Sequence, residues 1–265
     1  MSLRFATTRL ATGPRLHFAE QGDAHGQPIL FLHGWPDSWF SFSRVLPLLP
    51  PGLHAFAVDQ RGFGDSERPD DSYDISQFAS DAVAFLDAVS VDRATIVGHS
   101  FGSFVARQVA IAHPKRVARL VLIGTGARSV NPVTAEVQAS MAALRDPVPV
   151  EFARDFQAGT AFVPLPEAFF ERIVAESLKL PARLWRKVFD GILAYDDVGQ
   201  VAGIAVPTLL VWGERDALFP REDQEHLAAA IPDARLTIYQ KTGHCPNWER
   251  PEQVAADVHT FLQGT

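Results

Sequence analysis
The chain of 265 residues contains a single cysteine, Cys245. One thiol can close no intramolecular disulfide and can build no cysteine-based metal cluster. It fits a reducing compartment. Basic charge is also short, with 24 Lys and Arg against 31 Asp and Glu and a net charge of −7. Without a basic excess to neutralise phosphates, a nucleic-acid surface is excluded. The brief basic cluster Lys115, Arg116, Arg119 reads as solvated surface at element ends. No apolar stretch approaches the roughly 20 residues that span a bilayer. The opening MSLRFATTRLATGPRLHF alternates apolar and polar residues and lacks the apolar core of a signal peptide. The expectation is a soluble, cytoplasmic protein, monomeric or homodimeric, acting on a small molecule with no metal, cofactor, membrane or nucleic acid.

What is present is ordinary globular composition, 47% hydrophobic and 21% charged, in a chain long enough for one large domain or one domain with an insertion. Strand-like segments occur near 4–10, 15–20, 29–32, 55–58, 95–97, 120–123, 208–212 and 236–239. Helices are expected at 36–46, 101–112, 221–230 and 251–262. A further one over 75–89 follows from apolar residues at Ile75, Phe78, Ala79, Ala82, Phe85, Leu86 and Val89. Short apolar strands alternating with helices imply an α/β fold with a parallel sheet covered on both faces. The rhythm breaks between about 127 and 201, where prolines punctuate several helix patterns, clearest at 167–178 and 182–193. An insertion after one strand and before the next sits above a sheet end, so a helical cap over a pocket is expected. The boundaries are then 1–126 and 201–265 for the core and 127–200 for the cap.

The strongest chemical signal is Gly98-His99-Ser100-Phe101-Gly102, a G-x-S-x-G run between a strand and a helix. A tight strand-to-helix turn has no room for bulky side chains two residues either side of its apex. It projects the Ser100 hydroxyl at a helix N-terminus, where developing negative charge is favoured.

With HGWPD at 33–37, DQRGFGDS at 59–66, GHSFG at 98–102, GERD at 213–216 and TGHCPNWERP at 242–251, the chain resembles the α/β-hydrolase superfamily over nearly its whole length, in its serine esterase-like branch. The resemblance implies a mostly parallel, twisted sheet of about eight strands flanked by helices, with a helical cap insertion.

A serine hydroxyl needs an adjacent base. The chain order Ser…Asp…His confines that base to histidines after the acid. His226 and His259 lie within helix patterns, whereas His244 lies in a loop just after a strand. For the acid, the strand after the nucleophile helix offers no carboxylate in LIGTGAR, and the next core strand offers Glu214 and Asp216. Asp216 matches the family position, and spacing alone leaves Glu214 open. The oxyanion donors implied are the backbone N–H groups of Phe101 and of Trp35, Pro36 having none. Candidate pocket residues are His33, Phe162 and Trp185. Asp59 and Arg61 read as a structural pair, and Asp37 as a first-turn carboxylate of the helix expected at 36–46.

HGWPD is closer to the epoxide-hydrolase and haloalkane-dehalogenase branches than to the HGGG lipases. Those branches, however, use a carboxylate where this chain has Ser100. Epoxide opening also wants two cap tyrosines, and the segment holds only Tyr195; dehalogenation wants an indole beside the nucleophile, and Phe101 has none. The expected activity is hydrolysis of carboxylic esters, lactones included, on small to medium apolar substrates. The alternatives are a ligand receptor or a perhydrolase, C–C bond hydrolase or cofactor-free oxygenase on the same scaffold.

Overall fold
Apolar runs too short for helices form the centre of an eight-stranded sheet in the computed structural model, which describes residues 3–264. In chain order the strands are β1 (Arg4–Arg9), β2 (Arg15–Gly22), β3 (Gln27–Leu32), β4 (Leu53–Val58), β5 (Ala94–His99), β6 (Val117–Ile123), β7 (Thr208–Gly213) and β8 (Ala234–Tyr239). Their spatial order is β1-β2-β4-β3-β5-β6-β7-β8. β2 runs antiparallel to β1 and β4, and every other pair is parallel. β4, β5 and β7 are buried along their whole length, as strands covered on both faces must be.

Period-two alternation divides the core. Leu30, Leu32, Phe56 and Val58 face a cluster containing Phe85, Phe101 and Phe104, while Ile29, Phe31, Ala55 and Ala57 face Phe42, Val258 and Phe261. Registers such as Leu32 with Gly98, Gly98 with Leu122, and Ile123 with Val211 bring the C-terminal strand ends to one edge. In open α/β sheets that edge is where ligands bind.

The helices are α1 (Ile75–Ala88), α2 (Phe101–Ala112), α3 (Pro132–Ser140), α4 (Val150–Thr160), α5 (Glu167–Ser177), α6 (Ala182–Leu193), α7 (Arg221–Ala230), the single turn α8 (Pro246–Glu249) and α9 (Pro251–Gln263). α3 to α6 form the segment between β6 and β7. Arg107 on α2 grips both ends of it: its guanidinium donates to the Gly126 carbonyl at 2.7 Å and pairs with Asp197 at 2.8 and 3.0 Å. Among the described residues no helix is long and apolar enough to cross a membrane.

One element differs from expectation. Residues 36–46 form no α-helix but an extended loop with 3-10 turns at Trp39–Phe42 and Leu46–Leu48. Ser38 is extended and its hydroxyl accepts from the Phe40 amide, so the backbone restarts there. Such local side-chain bonds compete with helix formation, and Pro47 falls in the first turn of Leu46–Leu48, where a missing N–H is tolerated.

Candidate active site
Ser100 stands at the apex between β5 and α2 with φ 50° and ψ −118°, a left-handed backbone strained for any residue with a Cβ. The turn is held by Ser100 N–H donating to the Ile123 carbonyl (2.9 Å) and Ser103 N–H to the Ser100 carbonyl (2.8 Å). Glycines flank it by necessity, since a Cβ on Gly98 would collide with the Gly102 carbonyl and one on Gly102 with that of Leu32. Ser100 itself stays partly exposed, at the mouth of a cavity.

His244 follows β8 and Asp216 follows β7. His244 Nδ1 lies 2.9 Å from Asp216 Oδ2, with both side chains almost fully buried. A carboxylate only accepts, so Nδ1 carries the hydrogen and Nε2 presents a lone pair. That Nε2 is buried with no partner, and His244 and Ser100 line the same cavity. Asp216 is oriented in turn, its Oδ1 accepting from the amides of Leu218 (2.8 Å) and Phe219 (3.1 Å). Glu214, the rival carboxylate, is exposed and accepts from the Lys241 amide at 3.3 Å. It has no contact with the imidazole among the hydrogen bonds and ion pairs of the described residues.

Phe101 is the first residue of α2, so its N–H is one of the helix donors without an internal partner. Trp35 also borders the cavity, its indole packed on Phe156, Trp185 and Phe189 at 4.6–5.0 Å between ring centres. The cavity is narrow, about 30 Å³ measured to the centre of a water-sized sphere. α3, α4 and α6 contribute Thr134, Phe156, Gln157, Thr160, Phe189 and Ile192 to its walls.

The three pocket candidates lie elsewhere. His33 is fully buried beneath the loop: its Nδ1 donates to the Gly34 carbonyl (2.7 Å), and its Nε2 accepts from the Gln60 amide (3.1 Å). Burial pushes its pKa down to about 4, so it is a neutral brace and not a pocket wall. Phe162 is 51% exposed and borders a separate cleft on the outside of α4 and α5. Trp185 has no exposed surface and packs behind Trp35, one layer from the cavity. Asp59 and Arg61 do not pair. Asp59 accepts from the Trp39 and Asp65 amides and bonds His17, whereas Arg61 binds Asp71 and Asp81.

Sequence reasoning missed two buried carboxylates. Asp37, expected at a helix start, is buried and lines the cavity; its Oδ1 accepts from Gln157 Nε2 at 2.9 Å. Glu249 is buried and accepts from the amides of Gly243 (2.9 and 3.0 Å), Phe162 and Val163 (both 3.1 Å). With His244 N–H donating to the Thr160 carbonyl (2.9 Å), it ties the histidine loop to the end of α4. The one available hint was that three of the four positions 247–250, Asn247, Glu249 and Arg250, are polar or charged, at a sheet edge where surface is expected.

Comparison with known proteins gives a match to the family described as alpha/beta hydrolase fold over residues 27–251. The chain is 30% identical to a 2-hydroxymuconate semialdehyde hydrolase of Pseudomonas putida, covering 96% of this chain and 92% of that protein. It is 28% identical to a non-heme chloroperoxidase of Streptomyces lividans over 97% of this chain and 99% of that protein. Among solved structures it resembles an esterase from Rhodococcus sp. ECU1013, with a TM-score of 0.84, 26% identity, and coverage of 100% of this chain and 99% of that one.

Proposed function
The chain belongs to the α/β-hydrolase fold family, and on that premise we propose that it is a serine hydrolase cleaving neutral carboxylic esters, lactones included, through an acyl-enzyme on Ser100. The observation that carries this reading is the buried, unpartnered Nε2 of His244, oriented by Asp216 and opening on the cavity that Ser100 borders.

In this reading Ser100 Oγ attacks the ester carbonyl while its proton passes to His244 Nε2. Asp216 keeps the imidazole in the required tautomer and stabilises the imidazolium. The oxyanion takes the N–H groups of Phe101 and Trp35, and a removed donor of this kind typically costs about 3–4 kcal/mol of barrier lowering. The imidazolium then protonates the leaving alcohol. Water, deprotonated by the same Nε2, releases the acid and frees Ser100.

Helices α3 to α6 act here as the cap that sets substrate size. The aromatic walls favour apolar groups, while no Lys or Arg lines the cavity among the described residues. An anionic substrate such as the semialdehyde of a muconate would lack a counter-ion and would meet Asp37. That favours neutral esters over the reaction named for the Pseudomonas putida relative. Tyr195, the one cap tyrosine, has its hydroxyl 3.0 Å from Gln108 and 3.2 Å from Asp197, away from the cavity, which weighs against epoxide opening.

The test is a series of p-nitrophenyl esters from acetate to palmitate, with the succinate half-ester added. We expect kcat/KM to peak at short to medium chains, gaining up to about 0.8 kcal/mol per buried methylene until the cavity is full. Highest activity on palmitate or on the anionic ester would overturn this reading of the cavity.

A further inference from the structure
We propose that Asp37 and His99 form a second subsite in the catalytic cavity that takes a neutral hydrogen-bond donor of the substrate, so that the favoured esters carry a hydroxyl close to the ester linkage. This rests on the ester-hydrolase reading of Ser100.

Both side chains are buried, and both line the cavity that Ser100 borders. His99 Nε2 lies 3.2 Å from the His244 carbonyl, which can only accept, so Nε2 holds the ring hydrogen. His99 Nδ1 is then a bare lone pair, and it has no partner. Facing it 3.9 Å away is Asp37 Oδ2, beyond direct hydrogen-bond reach. Asp37 already accepts one bond per oxygen, from Gln157 Nε2 at 2.9 Å and from Ser41 Oγ at 3.1 Å. A carboxylate has about four acceptor positions, so two remain open. When Asp37 is ionised, two acceptors therefore face each other with no donor between them. Leaving buried acceptors unpaired is costly, so an occupant that donates is favoured.

The place of this pair suits a substituent near the reacting carbonyl. His99 is the residue before the nucleophile, and both crowd Gly34: a Cβ there would stand 2.9 Å from His99 Nδ1 and 3.2 Å from Ser100 Cβ. The same tightness explains why the oxyanion loop carries glycine. The donor is neutral because the pair offers no full counter-charge. Burial raises the Asp37 pKa to about 7 and drives that of His99 well below its ordinary range. A cation would lose its hydration among the aromatic walls and gain only a partly ionised partner. An anion would meet two acceptors.

The test measures kcat/KM for ethyl butanoate against its 2-hydroxy and 3-hydroxy forms, for propyl against 2-hydroxyethyl butanoate, and for ethyl 3-aminobutanoate. Each is scaled to its rate of alkaline hydrolysis. At least one hydroxy ester should exceed its deoxy partner by about tenfold or more, and Asp37→Asn, which replaces an acceptor oxygen by a donor, should erase that preference. Equal rates for every hydroxy and deoxy pair in the unaltered enzyme overturn the proposal, whatever the fate of the variant. So does a preference for the amine, or a hydroxy preference that survives Asp37→Asn in a folded variant. If none of the esters turns over, the same pairs are compared as protectants of Ser100 against a fluorophosphonate; equal protection overturns the subsite. Failure of the fluorophosphonate to label Ser100 overturns the hydrolase reading itself.

Discussion

Two aspartate–histidine pairs meet at one cavity, the first lining it through His244 alone and the second through both Asp37 and His99, and they differ by a single ångström. Asp216 and His244 stand 2.9 Å apart, Asp37 and His99 3.9 Å. At the shorter distance the carboxylate takes the Nδ1 hydrogen and leaves Nε2 to act as a base. At the longer one the imidazole spends its hydrogen on the His244 carbonyl, and its Nδ1 lone pair faces a second acceptor. Residue type does not separate a proton-transfer pair from a recognition pair. Which ring nitrogen holds the hydrogen does, and the acceptor that meets it sets that: the Asp216 carboxylate for His244, a backbone carbonyl for His99.

The largest expected effect breaks the first pair. Asp216→Asn should lower kcat by about 10⁴-fold, because the amide holds the imidazole in the wrong tautomer and leaves the imidazolium unsupported. Glu214→Gln, by contrast, should leave kcat within about twofold, the exposed carboxylate holding loop backbone and the neighbouring exposed Arg215. Steady-state rates on an activated ester measure both. The reverse outcome would move the acid to Glu214.

A smaller effect sharpens the second pair. Burial is the main cause of the raised Asp37 pKa; Glu176 adds to it, and the bonds from Gln157 and Ser41 with the charge of His244 oppose it. A carboxyl whose folded pKa lies above its unfolded value holds an extra proton in the native state between about pH 4 and 7. Its contribution to stability therefore falls as pH rises through that window. Asp37→Asn removes this titration. Between pH 5 and pH 8 the stability of the variant relative to the parent should rise by roughly 2–3 kcal/mol, at about 1.4 kcal/mol per pKa unit. Urea unfolding of both proteins at the two pH values measures the difference, and a pH-independent difference would mean that Asp37 is an ordinary carboxylate.

The sheet and the first pair were legible because each rests on a local pattern. Apolar runs gave β5 and β7, and chain order with a loop position singled out His244, while Asp216 came from the family resemblance, spacing alone leaving Glu214 open. Asp37 was not legible, since its burial comes from α4 and α5 folding over it: Gln157, the residue that meets it, is 120 positions away. Phe162 and Trp185 were misjudged for a related reason. Aromatic content marks a segment as packed, but which ring faces the nucleophile depends on where helices end and how they are rotated: Phe162, in the loop after α4, turns out, while Trp185 on α6 lies one layer behind. The loop at 36–46 read as helix because apolar spacing masked the competition of Ser38 for the backbone.

The central claim is that Ser100 is a base-activated nucleophile. A fluorophosphonate reacts readily only with such a serine, so the protein as it stands, treated with the reagent and mapped by peptide mass, tests it most directly. The account predicts one adduct, on the peptide containing Ser100, lost in Ser100→Ala. An adduct on Ser103 or Ser66, or no adduct at all, would contradict it.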